Sequence, residues 1–149
     1  MPMASLRVVG KWSEEARKQI PLHDQIHFFG YVEDLTAALK GKVMIVPLQV
    51  GSGIRTKILA AWAAACPVVT TSVGVEGLPG SSGEHYLAAD DIEGFAAACQ
   101  ILATDAAVYR RIATAGHRLV QDQYSLAAVK NRRVEIYEEQ ISRQRTEAE

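Results

Sequence analysis

The densest chemistry in the chain lies in Gly51-Ser52-Gly53-Ile54-Arg55-Thr56-Lys57. A glycine loop that feeds the start of a helix leaves backbone N–H groups open, and together with the helix dipole they form a site for anions. Cations in a first helical turn oppose that dipole by about 0.3–1 kcal/mol, where Asp or Glu is the ordinary choice. A phosphate or diphosphate would turn this repulsion into attraction. The competing reading is two long side chains reaching into water at small cost. The neighbourhood shares the bias: residues 35–75 hold no Asp or Glu but carry Lys40, Lys42, Arg55 and Lys57, in a chain of formal net charge -1.

Other chemistries fit poorly. The loop is no Walker motif, because no second glycine is followed by Lys and Ser or Thr at the required spacing. Nor is it a dinucleotide fingerprint, since Thr56 stands where the third glycine belongs. Ser52 in G-S-G is not a nucleophile elbow, which needs G-x-S-x-G. His23, His27, His85 and His117 are scattered and suggest structural or surface roles. Cys66 and Cys99 have no cysteine or histidine at metal-ligand spacing and read as reduced thiols, so no metal site is expected. Glu76 is the carboxylate nearest in sequence to the glycine loop, and reads either as a functional residue or as a solvated loop glutamate.

The elements that must position the loop follow from its flanks. Residues 43–48 and 68–71 are β-branched apolar runs without polar alternation, as expected of strands covered on both faces of a parallel sheet. With a helix at 55–65 between them they make a βαβ unit. Upstream, residues 6–10 (LRVVG) and 26–30 (IHFFG) are strands that end in glycine. A helix capped by Ser13 and stopped by Pro21 lies between them, and a second, opened by Glu33 and Asp34 and closed by Gly41, follows. Residues 72–83 hold five glycines and prolines in twelve positions and read as a loop. A short strand is expected at 85–89, then a helix with Asp90 and Glu93 as its capping box, a helix from Asp105 to Val120, and a long charged C-terminal helix with a thin apolar stripe. The fold class is α/β, a Rossmann-like parallel sheet of about five strands flanked by helices, in one domain spanning residues 1–149.

At 149 residues the chain can bury a sizeable core, and its hydrophobic fraction of 48% and charged fraction of 22% are those of a soluble globular protein. The slightly acidic balance, without interleaved aromatic and basic residues, argues against nucleic acid as a partner. No apolar run approaches the ~18 residues of a membrane span, and the N-terminus lacks the features of a secretory signal.

With these residues assembled, PLQVGSGIRTKILAAWAAACPVVTTSVGVEGL resembles the donor-binding region of the group 1 (family 4) glycosyltransferases. LRVVG, IHFFGYVEDL, EHYLAADDIEGFA and DQYS fall in that family's order, so the likeness covers nearly the whole chain. The resemblance implies the C-terminal half of a two-domain GT-B fold. It implies a retaining, metal-free transfer of sugar from a nucleotide-diphosphate donor such as a UDP-, GDP- or ADP-sugar. Carried over, Gly51, Ser52, Gly53 and Ile54, with Arg55 and Lys57, would hold the diphosphate. Tyr31 and Val32 would lie near the base, and Glu76 and Gly77 would border the sugar. No catalytic residue is assigned. A role in polysaccharide biosynthesis follows, in the cytoplasm or at a membrane surface through the acceptor domain.

The chain departs from the pattern in ways that matter. Ala60 replaces the glutamate that bonds the ribose, and Ser52 stands in place of its spaced partner. Ala65 replaces a helix-ending glycine, which costs about 1 kcal/mol if the backbone there is left-handed. The family's N-terminal domain and the first strand of its C-terminal domain are absent. Either the strands at 6–10 and 43–48 therefore pair directly, or another chain fills the gap. A missing N-terminal Rossmann domain or a second copy of the chain is the expected partner, with self-association through the C-terminal helix. Two functions remain open: the donor half of an enzyme, inactive alone, or a non-catalytic module derived from that family.

Overall fold

The structure, a computed structural model, describes residues 4–11, 14–20 and 23–147, and the chain divides into two compact units, Met1–Ala38 and Leu39–Glu149.

In the first unit, β1 (Leu6–Val9) pairs in parallel with β2 (Ile26–Phe29), Leu6 opposite Ile26 and Val9 opposite Phe29. A parallel pair needs a crossover, and α1 (Glu14–Lys18) lies within it. The Arg7 guanidinium lies 4.3 Å from the Phe29 ring centre, a cation–π contact worth about 0.5–1 kcal/mol at an exposed site. α2 (Leu35–Leu39) is opened by Asp34, whose Oδ1 accepts from the Ala37 amide at 2.9 Å, as the Glu33-Asp34 signal predicts. Gly41 after it has φ 68, the left-handed stop that the sequence predicts. Ser13 and Pro21 lie outside the described residues.

The second unit is built on β3 (Met44–Val46), β4 (Val68–Thr70) and β5 (Leu87–Ala88), parallel and in that order, with Met44 opposite Val68 and Val69 opposite Leu87. Five parallel strands are thus described, in two sheets rather than one. β4 is central and wholly buried, which explains its unbroken apolar run. Val68 faces a cluster with Ile58, Trp62, Cys66, Tyr86 and Val120, and Val69 faces a second cluster with Ala98, Leu102 and Ile112.

Helices α3 (Thr56–Ala63), α5 (Ile92–Thr104) and α6 (Ala106–Tyr124) cover this sheet, and α7 (Leu126–Glu147) follows. Trp62 of α3 is fully buried and stacks on Tyr86 with ring centres 6.3 Å apart. α5 is capped by Asp91, not by the expected Asp90: Asp91 Oδ1 accepts from the Gly94 amide at 2.7 Å, and Asp90 is engaged elsewhere. Asp105 caps α6 as expected, accepting from the Ala107 and Val108 amides. On α7, Val134, Tyr137 and Ile141 are 45%, 67% and 51% exposed.

The end of α3 shows why its sequence ends as it does. Ala65 has φ 50, the one non-glycine residue with positive φ among the described residues. Its amide donates to Trp62 O at 3.0 Å and that of Cys66 to Ala61 O at 2.8 Å, the paired bonds of a Schellman stop. Cys66 is thereby carried into the core, where its thiol donates to Lys42 O at 3.2 Å. Burial pushes that thiol up to about 11, and a backbone hydrogen bond at Met44 offsets part of the rise. Tyr109 donates its hydroxyl to the same Lys42 carbonyl at 3.0 Å, and burial raises its pKa as well.

Candidate functional site

The carboxyl ends of β3, β4 and β5 are tied together by side chains, and this is the end of a parallel sheet at which ligands bind in open α/β folds. Thr71, just past β4, donates its hydroxyl to Leu48 O, beyond the end of β3, and accepts from the Gly74 amide at 3.1 Å. That second bond caps a short helix, α4 (Ser72–Val75), where the sequence suggests only loop. Four residues are too few to show a helical period, but one hydroxyl in the cap position suffices to start the turn. The Ser72 amide and hydroxyl both donate to Asp90 Oδ1, at 2.8 and 2.9 Å, which joins the end of β5 to α4.

Gly74 is required by space. A β-carbon there would stand 2.1 Å from Thr70 Oγ1 and 3.2 Å from Val46 O. The glycine therefore lets α4 lie directly on the strand ends.

The glycine loop runs from β3 into α3. Ser52, Gly53, Ile54 and Lys57 are exposed, and Gly53 has φ 87, a conformation that favours glycine. The N-terminus of α3 receives no hydrogen bond from a capping side chain and has no acidic residue in its first turn. It opens on a cleft of about 150 Å³ lined by Val46, Leu48, Ile54, Arg55, Thr56, Lys57 and Ile58. The Thr56 and Ile58 amides are taken by Ile54 O and Arg55 O, at 2.9 and 3.0 Å, so the helix dipole and the Lys57 ammonium are what this opening offers an anion.

Arg55 behaves differently from Lys57. It is 9% exposed, and its Nη2 donates to Gly51 O at 3.2 Å and to Val73 O at 2.9 Å. Glu76 Oε2 lies 4.0 Å from the same nitrogen, and the glutamate itself is largely exposed. Arg55 Nε is buried without an acceptor. Gly77 follows Glu76 with φ 79.

Of the residues expected at the site, the second unit brings together Gly51, Ser52, Gly53, Ile54, Arg55, Lys57, Glu76 and Gly77. Tyr31, 74% exposed, and half-buried Val32 follow β2 in the first unit. Thr71, Ser72 and Asp90 were not expected. The hydroxyl three residues before Gly74 was the available signal for Thr71, but the reach of Asp90 to Ser72 is a tertiary contact with no local signature. His85, which follows the glycine-rich segment, precedes the amino end of β5, where its Nδ1 accepts from the Ser81 amide. Among the described residues no group of three or more His, Cys, Asp or Glu side chains could hold a metal, and no helix is long and apolar enough to cross a membrane.

Comparison with known proteins bears on this geometry. No curated protein matches the chain. Among solved structures, the fold is shared with Anabaena HepE in complex with UDP and glucose (TM-score 0.75, 17% identity, 93% of this chain and 41% of that one). It is shared also with HepE in complex with UDP-glucose (TM-score 0.72, 16% identity, 93% of this chain and 42% of that one). The C-terminal domain of a group 1 family glycosyl transferase, LpcC of Francisella tularensis, matches at TM-score 0.56 and 25% identity, over 76% of this chain and 60% of that one. The chain thus spans about two fifths of the length of HepE, at 41%. The family model described as glycosyl transferases group 1 matches residues 2–105, well over half of the chain. The chain belongs to the group 1 glycosyl transferases.

Proposed function

We propose that this chain is the donor-binding half of a retaining glycosyltransferase and that its cleft receives the diphosphate of a nucleotide sugar. The observation that carries the reading is the uncapped N-terminus of α3, which opens with exposed Lys57 on a cleft of about 150 Å³. The HepE structures that share the fold hold UDP and UDP-glucose. Here the diphosphate would sit on the amides of Gly51, Ser52 and Gly53 beside Ile54 and Lys57, with Arg55 behind them. Glu76 and Gly77 would flank the sugar. As the bond from the sugar to the diphosphate breaks, negative charge grows on the leaving group. The dipole of α3 and the Lys57 ammonium then stabilise it in place. The acceptor would come from an N-terminal domain or a second copy, so the chain alone transfers no sugar. The exposed apolar residues of α7 would serve such a partner. Polysaccharide synthesis, in the cytoplasm or at a membrane surface, is the setting this reading implies.

A second reading is favoured by Ala60, which leaves the ribose without a carboxylate: a non-catalytic module that keeps the fold. A thermal-shift panel of UDP, GDP and ADP separates the two. A ligand at 100 times its Kd stabilises by about 2.7 kcal/mol, and one of the three is expected to do so. No shift with any at millimolar concentration would leave the module reading standing.

A further inference from the structure

Among the described residues Arg55 is the charged side chain that the fold buries. A buried cation is costly unless it is paired and hydrogen-bonded, so its partners indicate its purpose. They are protein groups from two separate segments: Gly51 O before α3, and Val73 O within α4, with Glu76 next to them. Its Nε is sealed from solvent, so a phosphate oxygen can reach it only if these contacts open. Gly51 adds an independent sign. Its backbone is not in the left-handed region, but a β-carbon there would lie 3.2 Å from Arg55 Nη1. The first glycine of G-S-G therefore makes room for the guanidinium, whereas the second, Gly53, serves the turn.

We propose that Arg55 is a positioning residue of the donor site. It is a buried brace that holds the Gly51 loop, α4 and Glu76 at fixed separation, and Lys57 is the side-chain cation that meets the diphosphate. The proposal rests on the donor-site reading for its second half and on the ligand-free fold for its first. It assigns different work to two cations that lie two positions apart. Lys57 acts by charge at the cleft, and Arg55 acts by geometry through two carbonyls and a carboxylate.

The test uses the whole chain and the variants Arg55→Met, Arg55→Lys and Lys57→Met. Without ligand, amide exchange at Gly74 and Glu76, which donate to Thr71 O and Val73 O, and limited proteolysis within residues 51–53 are expected to quicken together in Arg55→Met and to stay at the original rate in Lys57→Met. With UDP as probe, Arg55→Met is expected to weaken binding about tenfold, or about 1.4 kcal/mol, while the salt dependence of binding is kept. Arg55→Lys, which retains the charge but not the forked donors, fails to restore affinity. Lys57→Met weakens binding and flattens the salt dependence. A flattened salt dependence in Arg55→Met, or rescue by Arg55→Lys, would make Arg55 a phosphate ligand and overturn the proposal. Exchange in α4 or cleavage in the Gly51 loop that quickens without the other, or neither quickening, also overturns it. If the chain binds no UDP, the donor-site reading fails while the exchange data still decide the brace. Should Arg55→Met not fold, Gly51→Ala, which crowds Nη1, is expected to loosen the same two segments.

Discussion

Gly116 of α6 lies against the indole of Trp62, so close that a β-carbon at 116 would stand 2.6 Å from Cδ1. Trp62 is fully buried between α6 and Tyr86 and has no room to retreat. Packing of α3 on α6 through this pair fixes the helix whose other end opens on the candidate site. The Gly116→Ala substitution gains up to about 1 kcal/mol of helix propensity but forces an overpacking cost of about 1–3 kcal/mol. Net destabilisation is expected, read as a lower urea midpoint with an unchanged slope.

Ala65 holds φ 50 at the end of α3, a conformation that costs a non-glycine residue about 1 kcal/mol or more. Ala65→Gly is expected to raise stability by up to about 1 kcal/mol, which for a chain of this size corresponds to about 2–4 °C in Tm. A lower Tm would mean that the unfolded-state entropy of glycine outweighs the relief of strain.

Cys66 is predicted to resist alkylation in the folded chain at pH 8 and to react on unfolding, because burial lifts its thiol from 9.0 to about 11. The sign of the stability effect follows from proton binding. Below pH 9 both states hold the proton and the thiol contributes nothing. Between pH 9 and about 11 only the unfolded thiol ionises, so stability falls as pH rises through that window. Iodoacetamide labelling followed by mass spectrometry checks the first statement, and urea titrations at pH 8 and 10 check the second.

Ala60 lies on α3, at the position where the family resemblance implies a glutamate that bonds the ribose. Ala60→Glu is expected to tighten UDP binding by about 1.5–3 kcal/mol before the cost of ordering the side chain, and to leave inorganic pyrophosphate no tighter. Calorimetry with both ligands checks it; equal gains for the two would remove the ribose explanation.

Much of this was legible in the sequence where the determining forces are local. The apolar runs at 43–48 and 68–71 announce buried parallel strands because burial on both faces removes alternation, and β4 bears this out. Gly41, Asp34 and Asp105 mark helix ends by backbone chemistry that needs no tertiary partner. The basic helix start is legible too, and Arg55 and Lys57 both line the cleft. What sequence could not give was direction. Arg55 and Lys57 look equivalent two positions apart, yet one is folded inward by the Gly51 and Val73 carbonyls and the other lies in the open. Asp90 and Asp91 are adjacent carboxylates of equal capping propensity, and only the approach of Ser72 decides which one caps α5. Thr71 is one of two neighbouring threonines, and its capping of α4 depends on Gly74 fitting against Thr70.

The claim that this cleft reads a diphosphate is tested most directly by calorimetric titration of the chain with UDP, UMP and uridine at low salt. Binding of UDP, about tenfold weaker binding of UMP and no detectable binding of uridine is the predicted result. Equal affinity for UDP and uridine, or no binding of UDP, would contradict it.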